Sequence, residues 1–225
     1  MAQSESDDLK ARIKNSYDAI ANNYADYTNP HDASKLLHLE ILLTQLRKSP
    51  VDTLTVLELG CGSGIPATKY MLETDKPIIH VTANELSTTQ LNLAKTNLAS
   101  HNDRLTLVEG DMMALSYPEG TFDAITGFYS IIHLPREEQT ELIGRISKWL
   151  KPSGLLLANF ATEESGAIVD EKWLGHETGW MYWSAWGEEG SVKMIEDAGF
   201  KIINRDTTHD AGDAKFVWLI AKKDN

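Results

Sequence analysis

The segment ELGCGSG, residues 58–64, joins an apolar run to a helical pattern that begins near Pro66. Proline favours the first turn of a helix, and three glycines within five residues allow positive φ values and a close approach of the backbone to a ligand. In open parallel sheets, ligands collect at such turns, beyond the carboxyl ends of the strands. The segment therefore favours a ligand-binding turn over a plain strand-to-helix connection.

The spacing of the glycines limits which ligand this turn can hold. A dinucleotide fingerprint requires G-x-G-x-x-G, but residue 65 is Ile and the third glycine, Gly64, comes one position early. No G-K-[ST] triplet follows, which excludes a triphosphate loop. A nucleotide-dependent oxidoreductase is therefore disfavoured.

Short apolar runs alternate with helical patterns from residue 54 onward. Runs of this length and character suit strands that are buried on both faces, and strand–helix–strand alternation gives right-handed crossovers. The prediction is an α/β fold: a doubly wound, mostly parallel seven-stranded sheet with helices on both faces and a C-terminal antiparallel strand pair. The parallel strands are predicted at 54–59, 78–83, 105–110, 122–128 and 154–160. The antiparallel pair is predicted within 200–222, around a turn at Asp210–Asp213.

Helices and connections complete the predicted organisation. Residues 1–8 are polar and are predicted to form a loose tail, and residues 161–190 are interpreted as an irregular insertion. Ser87 is expected to cap a helix that runs to Leu98. The other helices are predicted at 9–27, 34–47, from 135 to 150 and at 191–198. We expect one domain over 1–225, with a helical lid at 1–50 and a substrate cap at 161–190.

The charge balance excludes some classes of partner. The chain has 33 Asp and Glu residues against 21 Lys and Arg, a net charge of −12. Nucleic acids and anionic membrane surfaces require clustered basic residues, so neither partner is expected. The single cysteine, Cys61, allows no intramolecular disulfide. Neither a signal-peptide pattern nor an apolar run of membrane-spanning length is present, and we expect a cytoplasmic protein.

Two acidic residues at strand ends complete the glycine-loop pattern. Glu85 closes the second predicted strand in VTANELS, and Asp111 follows the third in EGDMMAL. Together with ELGCGSG they resemble the S-adenosylmethionine-dependent methyltransferases of the Rossmann-like class I, small-molecule type, over roughly residues 10–160. The resemblance implies S-adenosylmethionine as cofactor and methyl transfer to O, N or S of a small organic molecule.

The resemblance assigns a role to each acid. Glu85 would accept hydrogen bonds from both ribose hydroxyls, or it would be a solvated charge at a helix entry. Asp111 would accept from the adenine amino group, and it can also cap a short helix that starts at Met112. Glu58 would organise the glycine amides and the amino group of the cofactor. The residues expected at the cofactor are Tyr24, Glu58, Gly60, Gly62, Gly64, Glu85, Leu86, Asp111, Met112 and Tyr129.

Two other residues near this set are interpreted as structural. Tyr17 lies seven residues before Tyr24 in a stretch, YDAIANNYADY, that resembles the lid helix of the family. Core packing is the preferred role for Tyr17, whereas Tyr24 fits packing and cofactor contact equally. Cys61 is interpreted as a small residue of the loop rather than a nucleophile, because nothing in its surroundings predicts a depressed thiol pKa.

His133 is the candidate catalytic residue. It follows the fourth predicted strand in GFYSIIHLPREE, where a base could accept a proton from a hydroxyl or thiol acceptor at near-neutral pH. A structural role at the start of the next helix is equally consistent, and an amine acceptor needs no base. His31, His38 and His176 are weaker candidates. No pair of histidines has the spacing of a metal site, so no metal is expected.

Four aromatic residues within seven positions of the predicted cap are the candidate substrate-binding residues: Trp180, Tyr182, Trp183 and Trp186. Aromatic walls bind flat or cationic molecules, although a hydrophobic plug that fixes the cap is the alternative. Two other functions also remain open. One is a non-methylating enzyme of the same fold that binds S-adenosylmethionine and catalyses a rearrangement or pericyclic reaction. The other is a binding protein with a vacant glycine loop.

Overall fold

A computed structural model of the chain describes residues 3–28, 32–209 and 214–224. In these ranges the helices are α1 (Gln3–Thr28), α2 (Asp32–Leu46), α3 (Ala67–Leu72), α4 (Thr88–Asn97), α5 (Arg136–Trp149) and α6 (Gly187–Asp197). The first strands are β1 (Thr53–Leu59), β2 (Ile78–Glu85), β3 (Leu105–Glu109), β4 (Phe122–Gly127) and β5 (Leu150–Ala161). The others are β6 (Glu164–Asp170), β7 (Met181–Trp186), β8 (Phe200–His209) and β9 (Lys215–Lys223). The turn predicted at 210–213 lies outside the described residues, as does His31.

Seven of these strands form one twisted sheet in the order β3-β2-β1-β4-β5-β9-β8. The first five are parallel, with Val56 of β1 opposite Val81 of β2 on one side and Ala124 of β4 on the other. Strand β9 runs antiparallel to β5 and pairs with β8. The predicted fold class is therefore confirmed, including the C-terminal antiparallel pair. Strands β2 and β3 are added on one side of β1, whereas β4 and β5 are added on its other side. Because their connections therefore leave the sheet on opposite sides of β1 and β4, a crevice opens at the carboxyl ends of these two strands.

The two faces of the sheet bury separate hydrophobic clusters. Leu54 and Val56 point to the face covered by α2 and α3, where they meet Leu42 and Met71. Leu57 points to the opposite face, against α5 and α6. The alternation along β1 places apolar side chains on both faces, which is why the run 54–59 contains so few polar residues.

The N-terminal segment differs from the prediction. Residues 3–8 are the first turns of α1 rather than a loose tail, and Ser6 is buried. The reason is tertiary: the Ser6 hydroxyl donates a hydrogen bond to Glu138 on α5, a residue that no local pattern connects with it. Further along α1, Leu9 and Ile13 pack against Tyr182 of β7. Helix α1 thus lies across the carboxyl edge of the sheet.

Residues 161–190 are also more regular than predicted. They contain the antiparallel ribbon β6–β7, with a short helical turn at Trp173–Gly175 between the strands. The alternation typical of a strand is hidden because β7 is buried on both faces while β6 is mostly exposed. Helix α6 starts at Gly187, four residues before the predicted start.

The predicted boundary at α4 is confirmed. The Ser87 hydroxyl accepts a hydrogen bond from the Gln90 amide at 3.1 Å, which satisfies one of the free amides of the first turn. This cap fixes the entry of α4 directly after Glu85, at the carboxyl end of β2.

Candidate active site

The glycine loop between β1 and α3 combines two tightly packed positions with one open position. Gly60, Gly62 and Gly64 all have positive φ, at 70°, 57° and 76°. A Cβ at Gly60 would lie 2.5 Å from the Ser130 Cβ, and one at Gly64 would lie 2.5 Å from the Leu98 side chain. At Gly62 the nearest atom would be 4.0 Å away. Gly60 and Gly64 are thus required by packing, whereas Gly62 faces open space.

Glu85 connects this loop to the start of α4. Its carboxylate accepts hydrogen bonds from the Gly62 amide at 2.9 Å and from the Ser87 amide at 2.8 Å, and the side chain is buried. Burial raises the pKa of Glu85, and the backbone hydrogen bonds oppose that rise. Each carboxylate oxygen can accept a second hydrogen bond, so the position can still bind a ligand.

Glu58 lies beneath the loop at the end of β1. It is 2% exposed and accepts a hydrogen bond from the Thr68 hydroxyl. Burial raises its pKa to about 7, against the opposing effects of that hydrogen bond and of the Lys35 ammonium. Glu58, Lys35 and Cys61 share a small cavity of about 40 Å³ beside the loop. Burial also raises the Cys61 pKa, which agrees with a structural thiol.

Asp111 occupies the corresponding place after β3. Its side chain accepts a hydrogen bond from the Met113 amide at 2.9 Å, so the predicted capping role is confirmed. Its other oxygen is 2.9 Å from the Lys10 ammonium, which also lies 2.8 Å from Glu138. Burial alone would lower the pKa of Lys10, but its bonds with both acids raise it. Lys10 therefore ties α1 to β3 and α5 at the edge of the site.

Two cavities adjoin at this edge. The first, called the loop cavity, measures about 80 Å³ and is lined by Gly62, Glu85 and Asp111, among others. The second, called the aromatic cavity, measures about 270 Å³ and lies between α1, α2 and the β6–β7 ribbon. Four side chains line both cavities: Tyr17, Tyr24, Tyr129 and His133.

His133 lies at this junction with both ring nitrogens engaged. Its Nδ1 is 2.8 Å from the Tyr182 carbonyl oxygen, which can only accept, so Nδ1 carries the proton. Its Nε2 is 2.8 Å from the Tyr17 hydroxyl and accepts from it. Burial lowers the pKa of His133 to about 4. The pKa of His133 thus lies below the near-neutral reference value of histidine because the ring is buried.

The tyrosines at the junction are held in different ways. Tyr17, interpreted as core packing, lines both cavities and makes ring contacts with Tyr24 and Trp173. Burial raises the pKa of the Tyr17 hydroxyl, which stays protonated. Tyr129 has φ = 53°, a value that a residue with a side chain rarely adopts. Its amide donates to the Asn159 side chain at 2.7 Å, and that buried contact supports the conformation.

The four aromatic residues of the predicted cap lie in different surroundings. Trp183 lines the aromatic cavity, but Trp180, Tyr182 and Trp186 line neither cavity. Trp180 stacks under the Arg12 guanidinium at 3.8 Å, and Trp186 under that of Arg136 at 4.5 Å. Tyr182 is buried against α1. These three fix the ribbon to its neighbours, since each finds a partner far away in the sequence.

The residues of the aromatic cavity that were not predicted include Tyr27, Lys35, Trp173 and Phe216. Trp173 stands within the predicted cap, and its residue type is the one signal that could have identified it. Lys35 and Phe216 lie in α2 and β9, where nothing local distinguishes them. The other cofactor candidates, Leu86 and Met112, line the loop cavity as expected, whereas Gly64 does not.

The remaining histidines and possible metal ligands lie elsewhere. His38 is buried between the Ser34 carbonyl and Asp206, stacked on Trp218, and His176 lies in an exposed turn beside Thr178. Among the described residues, no group of three or more His, Cys, Asp or Glu side chains is placed to hold a metal ion. None of the described helices is long and apolar enough to cross a membrane.

Comparison with known proteins agrees with this geometry. Residues 56–154 match a family model described as a methyltransferase domain. A sterol 24-C-methyltransferase of Yarrowia lipolytica is 27% identical over 168 residues, which are 72% of this chain and 43% of that protein. The chain thus spans less than half the length of this relative.

Solved structures show the same fold at lower identity. A 1,6-didemethyltoxoflavin-N1-methyltransferase of Burkholderia thailandensis, solved with its substrate and S-adenosylhomocysteine, superposes with a TM-score of 0.73 at 17% identity. That match covers 100% of this chain and 92% of the other. The 4+2 cyclase SpnF superposes with a TM-score of 0.61 at 21% identity, over 81% of this chain and 80% of the other. The domain match over residues 56–154, the strand order and the loop with its two acids make the chain similar to the S-adenosylmethionine-dependent methyltransferases of the Rossmann-like class I.

Proposed function

We propose that the protein binds S-adenosylmethionine in the loop cavity and transfers its methyl group to O, N or S of a small organic molecule in the aromatic cavity. The observation that carries this proposal is the meeting of the two cavities at Tyr17, Tyr24, Tyr129 and His133. A methyl donor and an acceptor that occupy adjoining cavities can be aligned for direct displacement. The net charge of −12 supports a small-molecule acceptor rather than a nucleic acid or an anionic membrane surface, and we propose a cytoplasmic enzyme.

The residues around the loop cavity fit such a cofactor. Gly62 and Gly110 have positive φ and open space where a side chain would lie, so backbone can approach a ligand there. Gln90 lines the same cavity, is 2% exposed, and its side-chain nitrogen has no hydrogen-bond partner among the described residues. A buried donor without a partner is costly, and a bound polar ligand would satisfy it.

The acids of the site would hold different parts of the cofactor. Glu85 would accept from the ribose hydroxyls, Asp111 from the adenine amino group, and Glu58 would face the amino-acid end.

The loop cavity, at about 80 Å³, is smaller than the roughly 300–1,000 Å³ of sites for drug-sized ligands. In this proposal α1 moves outward to admit the cofactor, which would break the contact between Lys10 and Asp111. In this proposal α1 and α2 form the lid, and residues 161–190 form the substrate cap.

The chain's own residues position the acceptor and handle its proton. When bound, S-adenosylmethionine supplies an electrophilic methyl group on a positively charged sulfur. The rings of Tyr17, Tyr24 and Tyr129 surround the junction and would favour that charge through their faces. The neutral His133 Nε2 can accept the proton of a hydroxyl or thiol acceptor once that group displaces the Tyr17 hydroxyl.

Ligand-binding measurements test the cofactor assignment. S-adenosylmethionine and S-adenosylhomocysteine should raise the melting temperature of the protein, and NAD should not. Glu85→Ala should weaken binding of S-adenosylhomocysteine at least about tenfold by calorimetry, whereas Glu177→Ala, at an exposed turn, should leave it unchanged. Stabilisation by NAD alone would refute the proposal. A panel of phenols, thiols, amines and carboxylic acids would then be screened for methylated products by mass spectrometry.

A second function, catalysis without methyl transfer, is favoured by one observation. The His133 lone pair is already occupied by Tyr17, so the cavity offers an apolar, shaped environment rather than a free base. Such an environment suits a rearrangement or cyclisation, and the similarly folded SpnF is a cyclase. Substrate conversion by protein loaded with S-adenosylhomocysteine, without a gain of one methyl group, would favour this function.

A further inference from the structure

The aromatic cavity contains one unexpected charge. Of the described residues that line it, Lys35 alone is a Lys, Arg, Asp or Glu residue, and seven of the others are Tyr, Trp or Phe. Lys35 projects from α2, and its ammonium lies 5.9 Å from the centre of the Tyr129 ring, at the junction with the loop cavity. A cation in this position faces any molecule that enters the cavity.

The contacts of Lys35 within the protein are weak for a buried ammonium. Its side chain is 14% exposed, and its ion pair with Asp32 is 3.9 Å long, beyond hydrogen-bond distance. Burial lowers the pKa of Lys35, and Asp32 and Glu58 oppose that effect. A buried charge without a close counter-charge is energetically unfavourable. An anionic ligand that approaches from the cavity would recover this cost.

We propose that the aromatic cavity selects a flat, aromatic acceptor that carries a carboxylate, and that Lys35 binds this carboxylate. This assignment rests on the proposed function for the identity of the reaction, but it concerns the chemistry of the second cavity. The rings of Trp173, Trp183 and Phe216 would sandwich the acceptor's ring system. With the carboxylate at Lys35, the acceptor would lie within the same cavity that reaches His133. A cationic acceptor is disfavoured, because Lys35 would repel it.

The alternative occupant of Lys35 is the carboxylate of the cofactor itself. Lys35 also lines the small cavity that contains Glu58 and Cys61 beside the loop. However, the small cavity already contains an acid, Glu58, whereas the aromatic cavity offers none among its described lining residues. A ligand carboxylate is therefore more favourable on the aromatic side of Lys35. Binding experiments distinguish a carboxylate of the acceptor from that of the cofactor.

Matched acids and amides test the assignment directly. Benzoate and 2-naphthoate would be compared with benzamide and 2-naphthamide, each titrated by calorimetry into protein saturated with S-adenosylhomocysteine. The wild type should bind the acids at least about tenfold more tightly than the amides. Lys35→Gln should abolish this preference and Lys35→Arg should keep most of it. Lys193→Gln, at an exposed lysine on α6, should behave as the wild type.

Each alternative result has a defined meaning. Equal binding of acids and amides by the wild type would overturn the assignment without recourse to any variant. A loss of S-adenosylhomocysteine affinity in Lys35→Gln, with the acid preference retained, would also overturn it and place Lys35 at the cofactor. Absence of S-adenosylhomocysteine binding in the wild type would instead contradict the proposed function. In that case the acids and amides would be titrated into the protein without S-adenosylhomocysteine, and their relative affinities would still test whether Lys35 binds a carboxylate in the aromatic cavity.

Discussion

The protein should lose stability as the pH rises from acid to neutral, and replacing Glu58 by Gln should abolish much of that loss. Glu58 is buried, and its pKa is raised from 4.5 to about 7. As the pH rises above 4.5, the unfolded chain releases this proton while the folded chain retains it until about pH 7. The folded state therefore loses free energy relative to the unfolded state throughout that interval, and no more is lost above it.

The size of this effect follows from the two pKa values. One pH unit corresponds to about 1.4 kcal/mol for a single proton, so the change from 4.5 to about 7 amounts to about 3 kcal/mol at alkaline pH. Between about pH 5 and pH 8 the expected loss is about 2–3 kcal/mol. Glutamine has the same shape, cannot ionise, and retains an oxygen that can accept from Thr68. The variant should therefore be relatively more stable at the higher pH.

Urea unfolding of both proteins at the two pH values provides the measurement. His133, whose pKa is lowered to about 4, contributes with the opposite sign, because its stabilising effect is lost as the pH falls below 6.5. That contribution is common to both proteins and cancels in their difference. Glu177→Gln, at an exposed acid, is the control. Equal pH dependence in the wild type and Glu58→Gln would refute the reasoning that burial holds a proton on Glu58.

Three further substitutions test the frame of the site. Asn159→Ala removes the oxygen that accepts from the Tyr129 amide and should lower the free energy of unfolding by about 1–3 kcal/mol; an unchanged urea midpoint would show that Tyr129 holds its conformation without Asn159. Gly60→Ala places a methyl group against Ser130 at positive φ and should destabilise the fold by about 2 kcal/mol or more. Gly62→Ala meets no such contact, so it should fold with a smaller loss and instead weaken S-adenosylhomocysteine binding. The opposite ranking of the two glycine variants in stability would contradict this account of the loop.

The sheet could be predicted from the sequence because its strands are buried on both faces. A run such as 54–59 has one interpretation when apolar side chains must serve two clusters, and the observed β1 differs from it by one residue. The N-terminal turns of α1 and the ribbon β6–β7 could not be predicted in the same way. Their stability comes from distant partners, such as Glu138 for Ser6 and Arg12 for Trp180.

The candidate site likewise contains features that could be predicted from the sequence and features that could not. The loop and the two acids follow from spacing, since the glycines and Glu85 must lie at neighbouring strand ends in any sheet of this order. The neutral state of His133 could not be predicted from the sequence, because it depends on the contacts of the ring with Tyr17 and Tyr182. Lys35 did not follow either, since a lysine in a helix gives no local sign that its charge is enclosed.

The contact of Lys10 with Asp111 has a consequence for the rate of cofactor exchange. The same carboxylate contacts Lys10 of the lid and, in the proposed function, the adenine group, and an outward movement of α1 would separate it from Lys10. Opening therefore requires the separation of a cation from two anions, Asp111 and Glu138. Dissolved salt weakens such an attraction. Exchange of spent for fresh cofactor should accordingly accelerate with ionic strength.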